Sequence, residues 1–145
     1  MAVIRLTKEF SFEMAHALEH YDGACRHVHG HSYRFFVTVI GEPLQDIGDP
    51  KCGMVLDFKV LKEIVTRRII DRFDHAFVVR RSDAGERVYA AMEEAFGKVE
   101  RVDYQPTCEN LIADFARIIA SELPARVRLH HLKLHETATS FAEWY

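Results

Sequence analysis

Two runs of alternating apolar and polar residues near the N-terminus constrain the fold more than any other feature. From Val3 to Glu13 the apolar residues fall mainly on every second position, and His31 to Ile40 is rich in aromatic and β-branched residues. This pattern is typical of strands with one buried face. The intervening Tyr21-Asp22-Gly23-Ala24 has turn-forming residues. The sequence therefore predicts two strands that pair as an antiparallel hairpin.

Two amphipathic helices follow in the middle of the chain. Asp57 is a suitable N-cap for the first helix, in which apolar residues recur at helical spacing up to about Arg72. Thr107 is the corresponding N-cap of the second helix, which ends before Pro124. A weaker helical pattern spans Ala84 to Phe96.

The C-terminal region predicts a second hairpin. Val127 to Glu136 and Thr139 to Trp144 have strand-like patterns and are joined by a short turn. A short apolar stretch, Ala76 to Val79, lies earlier in the chain and has no clear periodicity. The expected order is ββααββ, and we expect an α+β fold in which two helices pack on one face of an antiparallel sheet.

The bulk composition excludes several classes of partner. The chain has 145 residues and a formal net charge of −3, with no clustered basic residues, so we expect one domain and no binding to nucleic acid. No segment approaches 18 consecutive apolar residues, which argues against membrane insertion. The three cysteines, an odd number without close spacing, favour reduced thiols over disulfides. We therefore expect a cytoplasmic protein.

A dense group of histidines is the strongest chemical signal. Four of the nine histidines fall within twelve positions, and the sequence His29-Gly30-His31 places two imidazoles on one face of a strand. His16, at the end of the first strand, would lie opposite the start of the second. Three imidazoles suit Zn²⁺ and leave a fourth position open, which is the pattern of a catalytic metal site. For an isolated His-Gly-His, surface histidines near a turn are the alternative interpretation.

The context of these histidines resembles a known enzyme family. The segment Cys25-Arg-His-Val-His29-Gly-His31-Ser-Tyr33 follows Phe12-Glu-Met-Ala-His16. Together they resemble the 6-pyruvoyl-tetrahydropterin synthase family, with Met14 as a mild departure where the family has a small residue. Further matches follow in the same order as in the family: Gly53-Met-Val-Leu-Asp57-Phe58, Phe73-Asp74-His75, Pro106-Thr107-Cys108-Glu109-Asn110 and Lys133-Leu-His135-Glu136-Thr137.

The resemblance covers nearly the whole chain and implies a fold and an assembly. We expect residues 1–145 to form a single pterin synthase domain with the tunnelling fold, in which each subunit contributes a four-stranded antiparallel sheet and two helices. Subunits of this family join into a barrel, typically as a homohexamer built from two trimers. The expected partner is a small pterin substrate.

The spacing of the cysteine separates subfamilies. Three residues stand between Cys25 and His29, which is similar to the 6-carboxy-5,6,7,8-tetrahydropterin synthases of queuosine biosynthesis. These enzymes convert 7,8-dihydroneopterin triphosphate to 6-carboxytetrahydropterin with loss of acetaldehyde and triphosphate. The 6-pyruvoyl enzymes, which have a longer spacing, are the alternative. A third group, aldolase-like, has glutamate at the cysteine position, so Cys25 argues against it.

The resemblance also implies a role for each site residue. His16, His29 and His31 would bind Zn²⁺, and Cys25 would act as the general base. Asp74 and His75, from a neighbouring subunit, would complete a proton relay. Glu136 would anchor the pterin ring, and the remaining candidates for substrate contact are Thr107 and Glu109.

Two other functions agree less well with the sequence. The chain could be a zinc-binding or pterin-binding module without turnover, although the presence of Cys25 together with Asp74 and His75 speaks against it. A metallohydrolase would need a carboxylate base beside the metal, and the sequence contains no His-Glu-x-x-His helix to supply one. For Cys52 and Cys108 we favour the ordinary role of small apolar residues in the interior.

Overall fold

A long antiparallel hairpin forms the centre of the protein, whose computed structural model describes residues 2–145. Strand β1 (Ile4–His16) pairs with β2 (His29–Gly41) along their whole length. The predicted hairpin is confirmed, and both strands extend further toward the connecting loop than the sequence pattern indicated. The extension places His16 directly opposite His29 in the last pair of the ladder.

The complete sheet has six strands in the order β4-β3-β1-β2-β5-β6. The additional strands are β3 (Ala76–Arg80), β4 (Val99–Val102), β5 (Arg128–His135) and β6 (Phe141–Trp144). The C-terminal pair, β5 and β6, is antiparallel as predicted, and β5 pairs antiparallel with β2.

The predicted four-stranded, fully antiparallel sheet is wrong, because β3 and β4 extend the sheet on the β1 side. Strand β3 pairs parallel to β1, and β4 pairs parallel to β3. The first four residues of β3 are all buried. A parallel strand covered on both faces has a continuous apolar run rather than an alternating one, so periodicity does not reveal it.

Helix α1 (Phe58–Val65) leads without interruption into a π-helical segment (Thr66–Ile70) and a final turn, α2 (Asp71–Phe73). Two separate helices follow in the chain, α3 (Asp83–Ala95) and α4 (Cys108–Glu122).

Both predicted N-caps are present. The Asp57 side chain accepts a hydrogen bond from the backbone N–H of Lys59, and the Thr107 hydroxyl accepts one from the backbone N–H of Asn110. These bonds satisfy amide groups that have no partner within their own helix. Both helix starts are therefore fixed by local side chains, and the start fixed by Thr107 borders the candidate site described below.

The helices cover both faces of the sheet, which corrects the prediction of two helices on one face. Helices α1 and α4 pack on the main core with the inward side chains of β1, β2 and β5. Helix α3 packs on the other face, where Val88, Tyr89 and Met92 contact a small second core of Phe77, Val79 and Val99. Alternate residues of β3 thus enter different cores. In the part of the chain that the structure describes, no helix is long and apolar enough to cross a membrane.

Candidate metal centre

Three imidazoles converge at the loop end of the central hairpin. His16 ends β1, His29 begins β2 opposite it, and His31 follows on the same face of β2. The potential ligand atoms of these three side chains all lie within 4.8 Å of one another. The pairing of two long strands therefore produces the cluster predicted from the sequence.

The hydrogen bonds of two histidines orient their free nitrogens toward one point. His16 Nδ1 lies 2.7 Å from the carbonyl oxygen of Pro106, and His29 Nδ1 lies 2.7 Å from that of His27. A carbonyl only accepts, so each Nδ1 carries the proton and each Nε2 keeps its lone pair. The two Nε2 atoms are 3.0 Å apart. Two lone pairs at this separation repel each other unless a cation lies between them.

The third imidazole supports the same interpretation. His31 Nε2 is buried and has no hydrogen-bond partner among the described residues. A tetrahedral zinc ion with bonds of about 2.0–2.1 Å separates its nitrogen ligands by roughly 3.3 Å. The 3.0 Å separation of the first two Nε2 atoms is close to this value. The donor set therefore fits a metal ion that prefers imidazole ligands, and zinc is among these.

The surroundings keep two of these imidazoles neutral. Burial lowers the pKa of His16, which is only 1% exposed, and the opposing effects of the Pro106 carbonyl and Glu136 do not cancel the shift. Burial likewise lowers the pKa of His31 against the effect of Glu136. Neutral imidazole is the form that binds a metal ion, so the lowered pKa of His16 and His31 favours metal binding.

Glu136 stands beside the histidine cluster. Its Oε1 is 3.6 Å from His31 Nε2 and its Oε2 is 4.0 Å from His16 Nε2. Strand β5 ends one residue earlier than predicted, but the backbone N–H of Glu136 donates to the Ser140 carbonyl and holds the residue at the β5–β6 turn. The carboxylate therefore faces the site, on the same side as the buried Leu134.

One cavity of about 330 Å³ contains four of the predicted site residues: Cys25, Thr107, Glu109 and Glu136. They come from the loop after β1, from the start of α4 and from the end of β5. Tyr21 and Phe141 form apolar parts of the wall. A pocket with a few polar groups among apolar and aromatic side chains is typical of small-molecule sites.

A short 3₁₀ turn (Ala24–Arg26) carries Cys25 and is tied to the end of the hairpin. The backbone N–H of Leu18 donates to the Cys25 carbonyl at 3.1 Å. The thiol is partly exposed in the cavity rather than enclosed in a core. This exposure would allow direct contact with a bound molecule.

His75 lines a different cavity, of about 510 Å³, together with Lys98 and His31. His75 Nδ1 is 3.0 Å from Asp74 Oδ1, and the imidazole is 74% exposed. Within a single chain, Cys25 and His75 therefore line different cavities, and the structure does not bring the two together.

The backbone around the Asp-His pair is held firmly. The backbone N–H of Glu13 donates to Asp74 Oδ1, and the Lys98 ammonium donates to the Asp74 carbonyl. Desolvation raises the pKa of Asp74, but hydrogen bonds from Glu13 and His75 outweigh it and leave the pKa below its usual value. His75 has a φ of +61°, in the left-handed region that non-glycine residues rarely adopt. The His75 backbone N–H donates to the Glu13 carbonyl of β1, so the backbone is fixed while the imidazole stays exposed.

Two residues at the site were not singled out by the sequence reasoning. Cys108 lines the cavity of Cys25, whereas we had expected it to be an ordinary interior residue. Burial, reinforced by the negative charge of Glu136, raises the pKa of its thiol to about 11, so Cys108 stays protonated near neutral pH. Its position directly after the Thr107 N-cap was the available signal. Tyr33, the last residue of the His-Gly-His-x-Tyr motif, is fully buried beside the histidines.

Comparison with known proteins agrees with this architecture. A family model described as 6-pyruvoyl tetrahydropterin synthase matches residues 5–145. The chain is 35% identical to the 6-carboxy-5,6,7,8-tetrahydropterin synthase of Haemophilus influenzae, with 98% of this chain and 99% of that protein covered. It is 34% identical to the protein of the same name from Synechocystis, with 95% and 90% covered.

A solved structure also resembles this fold. The 6-pyruvoyl tetrahydropterin synthase of Caenorhabditis elegans superimposes with a TM-score of 0.69, covering 99% of this chain and 96% of that chain at 23% identity. At this level of identity the likeness concerns the fold alone.

Proposed function

Because the chain belongs to the 6-pyruvoyl tetrahydropterin synthase family, we propose that it converts 7,8-dihydroneopterin triphosphate and water to 6-carboxy-5,6,7,8-tetrahydropterin, acetaldehyde and triphosphate. The observation that carries this proposal is the cavity in which Cys25 and Glu136 meet, next to three converging imidazoles. The names of two relatives at 34–35% identity support this reaction within the family. Residues 1–145 would form the single catalytic domain.

The resident cofactor would be Zn²⁺, held by the Nε2 atoms of His16, His29 and His31. The carbonyls of Pro106 and His27 would keep the two Nδ1 protons in place and so preserve the ligand lone pairs. A bound zinc ion supplies Lewis acidity, which makes protons beside a coordinated hydroxyl or carbonyl easier to remove.

Glu136 would anchor the pterin ring. A pterin presents an amino group and a ring N–H side by side, and a carboxylate can accept both hydrogen bonds at once. The Glu136 carboxylate is partly exposed to the cavity while its backbone is fixed at the β5–β6 turn. Ring binding at this point would place the side chain of the substrate near the histidine cluster.

Cys25 would act as the general base on that side chain. Its thiol lies on the loop that closes one side of the cavity, where a carbon atom of the bound substrate could come within reach. The Thr107 hydroxyl accepts from the amide of Asn110, so its own proton remains available for donation into the cavity. Glu109, in the first turn of the same helix, is the next carboxylate along the wall.

A neighbouring subunit would supply Asp74 and His75. In one chain His75 lines a separate cavity from Cys25, and its imidazole is largely exposed to solvent. A homohexamer built from two trimers, with the tunnelling fold closing a barrel from several sheets, would bring this imidazole to the cavity of another copy. The pair would then exchange protons with the substrate on the side opposite to Cys25.

Product analysis tests the proposed reaction. The zinc-loaded protein, given 7,8-dihydroneopterin triphosphate, is expected to yield 6-carboxytetrahydropterin by mass spectrometry together with equal amounts of acetaldehyde and triphosphate. The Cys25→Ala protein under the same conditions is the control for spontaneous breakdown. Formation of 6-pyruvoyltetrahydropterin without acetaldehyde would assign the alternative reaction, and absence of any product would favour a binding module.

A further inference from the structure

The hydroxyl of Tyr33 is an unexplained polar group in the interior. The side chain is 0% exposed, and its hydroxyl has no hydrogen-bond partner within residues 2–145. An interior hydroxyl without a partner destabilises a folded protein, so such groups are rare and call for an explanation. The catalytic roles described above give Tyr33 no function.

Aromatic contacts fix the direction of the Tyr33 ring. The ring stacks on Phe12 with the centroids 5.0 Å apart and the planes within 5°. It also lies nearly perpendicular to the rings of His31 and His16, with centroid distances of 5.7 Å and 6.5 Å. Because the side chain is fully buried among these rings, the hydroxyl must find its partner inside the site.

Glu136 is the acceptor best placed for this hydroxyl. The β2–β5 ladder pairs Phe35 with Leu134 and Arg34 with His135, so the next residues in register are Tyr33 and Glu136. Residues opposite each other in a ladder project from the same face of the sheet. Burial raises the pKa of the Tyr33 phenol, and the nearby Glu136 and Cys108 side chains raise it further, which makes these two the candidate partners.

Cys108 is the weaker alternative of these two. Its thiol already donates to the Leu134 carbonyl at 3.3 Å, and a protonated sulfur accepts hydrogen bonds poorly. A carboxylate has about four acceptor positions and binds a phenol more strongly than a neutral group does. The Glu136 carboxylate lies 3.6 Å from His31 Nε2, which is too long for a hydrogen bond, so it has acceptor positions free for the phenol.

We propose that Tyr33 is a positioning residue for Glu136. Its hydroxyl donates to one carboxylate oxygen when the imidazole nitrogens are committed to a metal ion, and the carboxylate is thereby held at a fixed angle. The remaining lone pairs of Glu136 then face the amino and ring N–H groups of the pterin. This inference rests on the proposed function, in which Glu136 anchors the ring.

A double-mutant cycle tests the link between the two residues. Tyr33→Phe, Glu136→Gln and the double variant are loaded with zinc, and their Kd for neopterin is measured by calorimetry. Neopterin carries the pterin ring without the triphosphate. Tyr33→Phe is expected to weaken binding roughly tenfold, the usual worth of a hydrogen bond to a charged group, with zinc content unchanged. In the Glu136→Gln background the same change is expected to cost less than about twofold.

Each alternative result of the double-mutant cycle identifies which part of the proposal is wrong. If Tyr33→Phe binds neopterin as the wild type does while Glu136→Gln is weakened, the positioning role is overturned and the anchor stands. Equal losses in both backgrounds would show that Tyr33 acts independently of Glu136 and would also overturn the inference. If Glu136→Gln itself binds normally, the anchor of the proposed function fails and the inference falls with it.

A second, partly buried tyrosine provides the control. Tyr104 donates its hydroxyl to Asp114 at 2.8 Å and does not line the cavity of Cys25. Tyr104→Phe removes a hydrogen-bonded tyrosine hydroxyl outside the site, and it is expected to leave the Kd for neopterin unchanged. An equal loss of affinity in this control would show a general effect of altered packing and would overturn the role of Tyr33.

Discussion

His16 and His29 face each other across the last pair of the β1–β2 ladder, and their Nε2 atoms are 3.0 Å apart. Each imidazole donates a hydrogen bond from its Nδ1–H to a backbone carbonyl, so the lone pairs of the two Nε2 atoms meet at this point. The strand pairing thus imposes an arrangement that is unfavourable without a cation.

Zinc content tests the histidine cluster. The purified protein is expected to hold about one Zn²⁺ per subunit, and His29→Ala and His31→Ala are expected to lose it, since two imidazoles alone bind zinc weakly. Metal analysis of the purified proteins is the measurement. His130→Ala, which changes a histidine of β5 outside the cluster, is the control and should keep its zinc. Equal zinc in all four proteins would contradict the ligand assignment.

Removal of the Cys25 thiol separates chemistry from binding. Cys25→Ala is expected to keep zinc, fold and pterin affinity while kcat falls by about 10² to 10⁴, the usual contribution of a positioned general base. Steady-state kinetics and calorimetry measure the two effects separately. Cys52→Ala is the matched control, because Cys52 lies in a loop and does not line the cavity of Cys25. A wild-type kcat in Cys25→Ala would exclude the thiol as the base.

Stability depends on the aromatic centre of the main core. Phe115 of α4 is fully buried, and its ring lies within 5.3 Å of the ring centroids of both Phe35 and Phe73. Phe115→Ala is expected to lower the free energy of unfolding by about 3–5 kcal/mol, since a large cavity remains. Urea denaturation is the measurement. Phe96→Ala, at a side chain 91% exposed, should change stability by less than about 0.5 kcal/mol.

Local patterns predicted the central hairpin and the helix starts. The alternation along β1 and β2 and the caps Asp57 and Thr107 depend on residues close in sequence, so the pattern alone was sufficient. The parallel pairing of β3 with β1 joins residues about sixty positions apart. No local signal encodes such pairing, and this is why the sheet has six strands where the sequence indicated four.

The distinction between local patterns and long-range contacts also applies to the candidate site. Two histidines separated by one residue on a strand must share a face, so the approach of His29 and His31 was predictable from the sequence. The Pro106 carbonyl that orients His16 is ninety residues distant in the sequence, and no local pattern predicts this contact. The unpaired state of the Tyr33 hydroxyl is also evident only in the structure, because it depends on which hydrogen-bond partners the surrounding described residues provide.

Mixing of inactive variants tests whether the site is shared between subunits. Cys25 and His75 line different cavities in one chain, so a site that uses both must combine two copies. Cys25→Ala and His75→Ala are each expected to be inactive. After subunit exchange in equal amounts, random mixing gives a complete pair at roughly a quarter of the sites, and a similar fraction of wild-type turnover should return. A mixture of Cys25→Ala with Cys25→Ser lacks the same residue in every subunit and serves as the control without recovery. If the first mixture also stays inactive although mass spectrometry shows mixed oligomers, His75 does not act across the interface.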